Sequence, residues 1–396
     1  FEKDGLKSIA IEGIDPVDNS KVDSAGDNLL GVDLTEYYSS SSFAKASKIV
    51  ISQLKYSTKH SDVSWTASKI CQGKKSTDGS IIHRLAKIFK GFLDFYGSTE
   101  VLKKTQIKLI SNRPIDPILP LIVSKANKLL NVSLTDVTFA TFSKSLLSKQ
   151  KSEVQKLFLA SKLNSKSFVQ FLSLLDFSDC GTDQRTIQKQ NAVKAIIDLG
   201  AFDAKSQLAI LESLVRSKTY PESKHDNVLY KEDILLAFEF YDLDSLFPVP
   251  PRFEVLNTTV EREQIKDING LIKKPGNKGP ICIHGVAGIG KSTIIQQLIK
   301  VLPSQSESVI LDCYGGGSYL DPEDKRHLHE KAFLFICNKM ALNIGTPFLL
   351  KREASNEYYV TEFSRRIKIA AEVIKKRDKS AVFVLIVDAA DNSITA

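Results

Sequence analysis

The stretch His284–Thr293, HGVAGIGKST, constrains this chain more than any other. Gly285-x-x-x-x-Gly290-Lys291-Ser292 satisfies the phosphate-loop pattern at every required position. Such a loop needs a buried strand before it and a helix after it. Ile281-Cys-Ile-His284 reads as the strand, and Thr293–Leu302 carries apolar residues at helical spacing. The glycines let backbone N–H groups of Gly285, Val286, Ala287, Gly288, Ile289 and Gly290 curl around a β-phosphate, and the helix N-terminus adds partial positive charge. Lys291 is expected to reach the β- and γ-phosphates and Ser292 to ligate Mg²⁺, with Thr293 completing the set. ATP and Mg²⁺ are the expected cofactors.

Phosphate chemistry also asks for an acid at the end of a parallel strand. Ala381-Val-Phe-Val-Leu-Ile-Val-Asp388 has the unbroken apolar run of a strand buried on both faces, and it ends in an aspartate. Asp388 is thereby expected beside Mg²⁺ at the sheet's carboxyl edge, with Asp391 orienting the attacking water. Ser308–Cys313 reads as a further strand, and 331–342 and 360–376 as crossover helices. Residues 258–396 are therefore expected to form an α/β nucleotide-binding domain.

GVAGIGKST together with a strand-Asp-x-x-Asp site resembles the STAND class of signal-transducing NTPases, the NACHT-like proteins of innate immunity. Within it, YGGGSYLDPEDKRHLHEKAF and VDAADN look like the bacterial antiviral STAND proteins called Avs. The resemblance covers residues 252–396. It implies that Arg262 lies near the base or ribose, that further ATPase subdomains and a sensor follow, that a phage protein is the trigger, and that ATP-bound protomers form a homo-oligomer.

At 396 residues, with 42% hydrophobic and 25% charged residues, the chain has room for two or three ordinary globular domains. Its five cysteines include no C-x-x-C pair, which argues against a disulfide framework or a zinc site. Cys282 and Cys313 fall in the expected buried strands. No signal peptide or 18-residue apolar run occurs, so the expected location is cytoplasmic, with no membrane partner.

Charge is distributed unevenly. Residues 1–42 hold nine acids against three lysines, whereas 43–110 hold thirteen Lys or Arg against four acids. Carboxylates for a cation beside lysines for phosphates suit a metal-dependent enzyme acting on nucleic acid. GVDLTEYY (31–38) and KIVISQLKYS (48–57) read as two strands. Period-two geometry puts Gln53 and Lys55 on one face, and Asp33 can meet them if the strands pair. This D…QxK pattern resembles the PD-(D/E)xK nuclease superfamily, in the Mrr-like variant where Gln replaces the second acid. The resemblance implies that Asp33, Gln53 and the Leu54 carbonyl hold Mg²⁺ and that Lys55 assists water attack on double-stranded DNA. A further acid is left open between Glu12, Glu36 and a residue upstream. Residues 65–75 and 79–96 read as helices, the second with Arg84, Lys87 and Lys90 on its polar side, and 106–114 as another strand.

The expected organisation is thus an α/β multidomain chain: a nuclease-like core (1–120), a helical layer (121–246), a Pro-rich linker (247–257) and the NTPase (258–396). The expected function is an ATP-switched antiphage endonuclease. The alternatives are a nucleotide-regulated binding scaffold that does not cut and a restriction-type DNA motor.

Overall fold

A computed structural model of the chain describes residues 5–22, 32–73, 77–132, 137–182, 184–220, 222, 226–249, 260, 262–274, 279–321 and 324–393. It is an α/β protein whose described residues divide into two compact units, one drawn from 1–193 and 205–238, the other from 194–204 and 239–396.

The first unit starts with β1 (Leu6–Ile11), α1 (Pro16–Val22), β2 (Leu34–Tyr38) and β3 (Lys48–Lys55). Next come α2 (Ala67–Ile70), α3 (Ile81–Tyr96), α4 (Ser98–Lys104) and β4 (Thr105–Ser111). A helical stretch follows: α5 (Ile118–Val132), α6 (Phe139–Lys144), α7 (Ser148–Ser161), α8 (Ser165–Leu174), α9 (Arg185–Asp198), whose residues from Lys194 on belong to the second unit, α10 (Ala204–Ser217) and α11 (Lys231–Ala237). Two short strands interrupt it, β5 (Leu175–Asp176) and β6 (Val228–Tyr230).

The strands make one mixed sheet in the order β5-β4-β3-β2-β1-β6. β1, β2 and β3 form an antiparallel meander, whereas β4 runs parallel to β3 and β5 parallel to β4. A parallel pair needs a long crossover, and the stretch holding α2, α3 and α4 supplies it between β3 and β4. Alternation decides which face is covered. Ala10, Tyr37, Ile49, Ile51, Ile107 and Leu109 belong to one buried cluster with Ile82, Leu85, Phe89 and Phe92 of α3. That helix starts at Ser80, whose Oγ accepts from His83 N at 3.2 Å, and leaves Lys87 and Lys90 exposed, as its periodicity predicts. Of the helix expected over 65–75, the described residues form only the single turn of α2, Trp65 being taken up in a bridge to Ile115, and Lys74 and Lys75 lie outside the described residues. The expected helical layer also gives up β5 and β6 to the sheet, segments too short for a periodicity to reveal.

The second unit contains α12 (Gln264–Lys273), α13 (Lys291–Val301), β7 (Glu307–Asp312), α14 (His329–Ile344), α15 (Asn356–Arg377) and β8 (Phe383–Asp388). β7 and β8 pair in parallel, from Glu307 opposite Phe383 to Asp312 opposite Asp388. The strand expected at Ile281–His284 is not formed. Among the described residues nothing pairs with it, and Cys282 is exposed rather than buried. Cys313 is buried as expected. At the start of the expected linker, Val249 is buried in this unit's core with Phe247 packed against it, and 250–257 lie outside the described residues.

One cation organises the second unit. Arg366 of α15 is 0% exposed. Its guanidinium donates to the carbonyls of Pro347 at 2.9 Å, Phe348 at 2.7 Å and Asp198 at 2.7 Å, and to the Glu362 carboxylate. Burial works against a charged Glu362, but hydrogen bonds from Arg365 and Arg366 outweigh it and hold its pKa below the ordinary value. Arg366→Met is expected to destabilise this unit by about 3–5 kcal/mol, since it leaves a half-buried carboxylate and several carbonyls unpaired. A depressed carboxyl pKa contributes stability above its unfolded value that is lost as pH falls through the folded one. The wild-type unit should therefore weaken on acidification below the usual Glu range, and urea titrations across pH should show a smaller acid loss for Glu362→Gln.

Candidate functional site

At one end of the six-stranded sheet, β1 and β3 finish where β2 begins. Ile11 faces Leu34 and Leu34 faces Ser52, so one further step sets Glu12, Asp33 and Gln53 in a row across three strands. Directly opposed residues on antiparallel strands share a face, so Asp33, Gln53 and Lys55 lie together on it. The contacts tighten this row. Asp33 N donates to Ser52 O at 3.1 Å, its Oδ2 accepts from Leu54 N at 2.6 Å, and Glu12 N donates to Asp33 O at 2.9 Å. Within a strand the N–H and C=O of one residue point the same way, so the Leu54 carbonyl faces Asp33 as well.

Gln53 is the unusual member. It is 1% exposed, and neither its amide oxygen nor its amide nitrogen has a hydrogen-bond partner. Buried polar atoms are rarely left this way, because each costs about 1–3 kcal/mol. A buried, unpaired amide oxygen beside a carboxylate and a main-chain carbonyl is a donor set that suits a hard divalent cation. Asp33, Gln53 and the Leu54 carbonyl are the groups that fit Mg²⁺ here. Among the described residues no cluster of three or more His, Cys, Asp or Glu is arranged to hold a metal, so amide and carbonyl oxygens would have to supplement the single carboxylate.

The open choice of a further acid narrows. Glu36 is an odd number of residues from Asp33 and points from the other face, where Tyr38 Oη donates to it at 3.2 Å. On that face burial disfavours the Lys108 ammonium, but Asp179, Asp176 and Glu36 outweigh it and raise its pKa. Glu12 is the acid beside Asp33. It is exposed, and its backbone sits in the left-handed region at φ 50°, a conformation that disfavours a non-glycine residue.

In the second unit, the loop before α13 brings its candidate residues together. Ser292 Oγ donates to Asp388 Oδ2 at 2.8 Å, joining loop and strand end. Lys291 Nζ lies inside the loop, donating to Gly285 O at 2.8 Å and Val286 O at 3.3 Å. Gly288 and Gly290 have φ of 78° and 98°, which the turn into α13 requires. Arg262 Nη2 donates to Ile289 O at 3.4 Å, so its guanidinium lies against the loop itself. Val286 and Ile289 are exposed, and Asp391 stands exposed on the turn after β8. Burial first, then Asp312 and Asp388, push the Cys313 thiol up to about 11, which keeps it neutral beside this site.

Two contributors carry no motif in the sequence. Gln297 of α13 accepts from Arg262 N at 3.1 Å and donates to Val260 O at 2.6 Å, tying that segment to the loop helix. Asp312, opposite Asp388, accepts from Tyr314 N at 2.9 Å and Gly315 N at 3.1 Å and shapes the glycine turn after β7. In the sequence Gln297 reads as an ordinary helix-face residue.

The Gln53 amide yields a direct expectation. An amide kept for a ligand costs stability in the free protein, so Gln53→Met should stabilise the first unit by about 1–3 kcal/mol in chemical denaturation. A loss of stability would mean that the amide serves the fold.

No protein-family model and no curated protein matches this chain.

Proposed function

We propose that this chain is an ATP-switched, Mg²⁺-dependent DNA endonuclease of the antiviral STAND kind, with the active site in the first unit and the nucleotide switch in the second. The observation that carries the reading is the row of Asp33 and Gln53 across β2 and β3 with Lys55 on the same face, the Gln53 amide being buried and unpaired. Two paired strands, β2 and β3, followed by α3 and β4 support the same reading, since a β-β-α-β order is the one that the D…QxK resemblance implies.

Bound at this site, Mg²⁺ supplies Lewis-acid polarisation of a phosphodiester. Asp33, Gln53 and the Leu54 carbonyl would hold it. Lys55 donates to a non-bridging phosphate oxygen, so that its charge offsets the negative charge growing on phosphorus during water attack. The basic surface of 43–110, including Lys87 and Lys90 of α3, binds duplex phosphates without reading sequence. In the second unit the 285–293 loop and Lys291 cradle the triphosphate, Ser292 and Asp388 hold its Mg²⁺, Asp391 orients water, and Arg262 reads the nucleotide from the loop's flank. The 2.8 Å contact of Ser292 with Asp388 supports this assignment.

The regulation we propose rests on the resemblance. A phage protein acts as trigger, ATP-bound protomers assemble, and clustering raises the local concentration of weak DNA-binding surfaces by orders of magnitude. A second reading is a nuclease-like module that binds DNA without cutting it. The lack of a three-member acidic cluster among the described residues favours it.

Cleavage separates the two. Asp33→Ala and Lys55→Ala in the full-length, activated protein should each abolish plasmid cleavage while ATP binding persists, and EDTA should mimic both. Plasmid degradation at the wild-type rate by the double variant would exclude this active site, and DNA binding without any cleavage by the wild type would favour the binding module.

A further inference from the structure

The main chain that carries Leu54 and Lys55 is held from two sides. Asp33 takes Leu54 N on the β2 side. On the β4 side the strand ladder ends where Lys55 faces Ser111, and side chains replace it from there. Ser111 Oγ donates to Lys55 O at 2.6 Å and accepts from Trp65 Nε1 at 2.9 Å and Arg113 N at 3.1 Å. A hydroxyl has one donor and two acceptor sites. Both acceptor sites meet N–H groups, so the single proton is committed to the Lys55 carbonyl. Trp65 is itself fixed, since the Arg113 guanidinium carbon lies 4.1 Å from its ring centre while Arg113 Nε donates to Val63 O at 2.6 Å. At Ser57, two residues beyond Lys55, Asn112 accepts from Ser57 N at 2.9 Å and donates to Ser57 O at 2.8 Å, as a strand neighbour would. Ser111 is 3% exposed and Asn112 7%, so water competes little for these bonds.

We propose that Ser111, with Trp65 behind it, is a positioning residue for the metal-and-lysine site: it sets the main chain of Leu54–Lys55 and thereby the Leu54 carbonyl and the Lys55 side chain. This rests on the active-site reading given above. Four features make it more than general stabilisation. The bond falls on the residue that bears the proposed ammonium. It lies on the strand edge opposite the Asp33 contact. It falls on the last pair of the ladder, where Lys55 faces Ser111. Its donor direction is forced by two other hydrogen bonds.

The test uses the full-length protein with Ser111→Ala, Ser111→Thr, Trp65→Phe and, as a reference, Lys55→Ala. Outer-shell partners of metal sites are worth about 10–100-fold in affinity or activity. Ser111→Ala should lower the single-turnover cleavage rate by that order at saturating DNA. It should weaken Mg²⁺ binding to the nucleotide-free protein, measured by calorimetry against an Asp33→Ala baseline, and leave DNA affinity in Ca²⁺ unchanged. Ser111→Thr keeps the hydroxyl and should restore rate and Mg²⁺ affinity. Trp65→Phe removes only the indole donor and should shift both in the same direction by less. A folded Ser111→Ala protein with wild-type rate and Mg²⁺ affinity overturns the proposal, as does equal impairment of the Ala and Thr variants. If Ser111→Ala fails to fold, wild-type behaviour of Trp65→Phe overturns it instead. The Lys55→Ala reference tells the two failures apart. An active Lys55→Ala sinks the active-site reading itself, whereas an inactive Lys55→Ala beside an active Ser111→Ala sinks only the positioning role.

Discussion

The antiparallel register of β2 on β3, locked where the Asp33 carboxylate accepts from Leu54 N, is the constraint on which the first unit's candidate site depends. A slip of one residue would carry Gln53 and Lys55 to the opposite face, away from Asp33. The hydrophobic pattern prevents the slip, because the same shift of β3 would expel Ile49 and Ile51 from the core. Packing on α3 therefore sets the register, and the register sets the site. The unpaired Gln53 amide is the one local conflict in an otherwise consistent strand, and such conflicts are where function is expected.

The second unit relies on a different constraint, the parallel pairing of β7 with β8 that ends level at Asp312 and Asp388. That places two carboxylates at a carboxyl edge, where open α/β sheets bind their ligands. One of them, Asp312, is spent on holding the glycine turn, and the other meets Ser292. The buried Arg366 ties α15, the helix that leads into β8, to the backbone around Pro347 and Asp198.

Much of this was legible in the residues. Asp33, Gln53 and Lys55 could be found because a strand repeats every two residues, and the same parity would have set Glu36 on the other face. The glycine-rich loop, α3, α14 and α15 were legible from pattern and periodicity. What was hidden depended on pairings between distant segments. Ser111, Asn112 and Trp65 carry no signal until β4 lies parallel to β3, and Glu12 is a neighbour of Asp33 only through the β1 register. β5 and β6 are two and three residues long, too short to repeat. Ile281–His284 has the apolar character of a buried strand, but a strand also needs a partner for its N–H and C=O groups, and none pairs with it among the described residues. Among the described residues no helix is long and apolar enough to cross a membrane.

In the proposed function, nucleotide bound in one unit controls DNA cleavage in the other. The most direct measurement compares plasmid cleavage by full-length wild-type, Lys291→Ala and Lys55→Ala proteins, given ATP, Mg²⁺ and extract of phage-infected cells, with sedimentation run in parallel. Loss of the Lys291 ammonium removes charge-assisted hydrogen bonds worth about 1.5–3 kcal/mol each. Lys291→Ala should therefore neither bind ATP, nor assemble, nor cut, whereas Lys55→Ala should bind ATP and assemble without cutting. Cleavage by Lys291→Ala at the wild-type rate, as an unassembled protein, would contradict the switch and leave a nuclease that acts without its nucleotide.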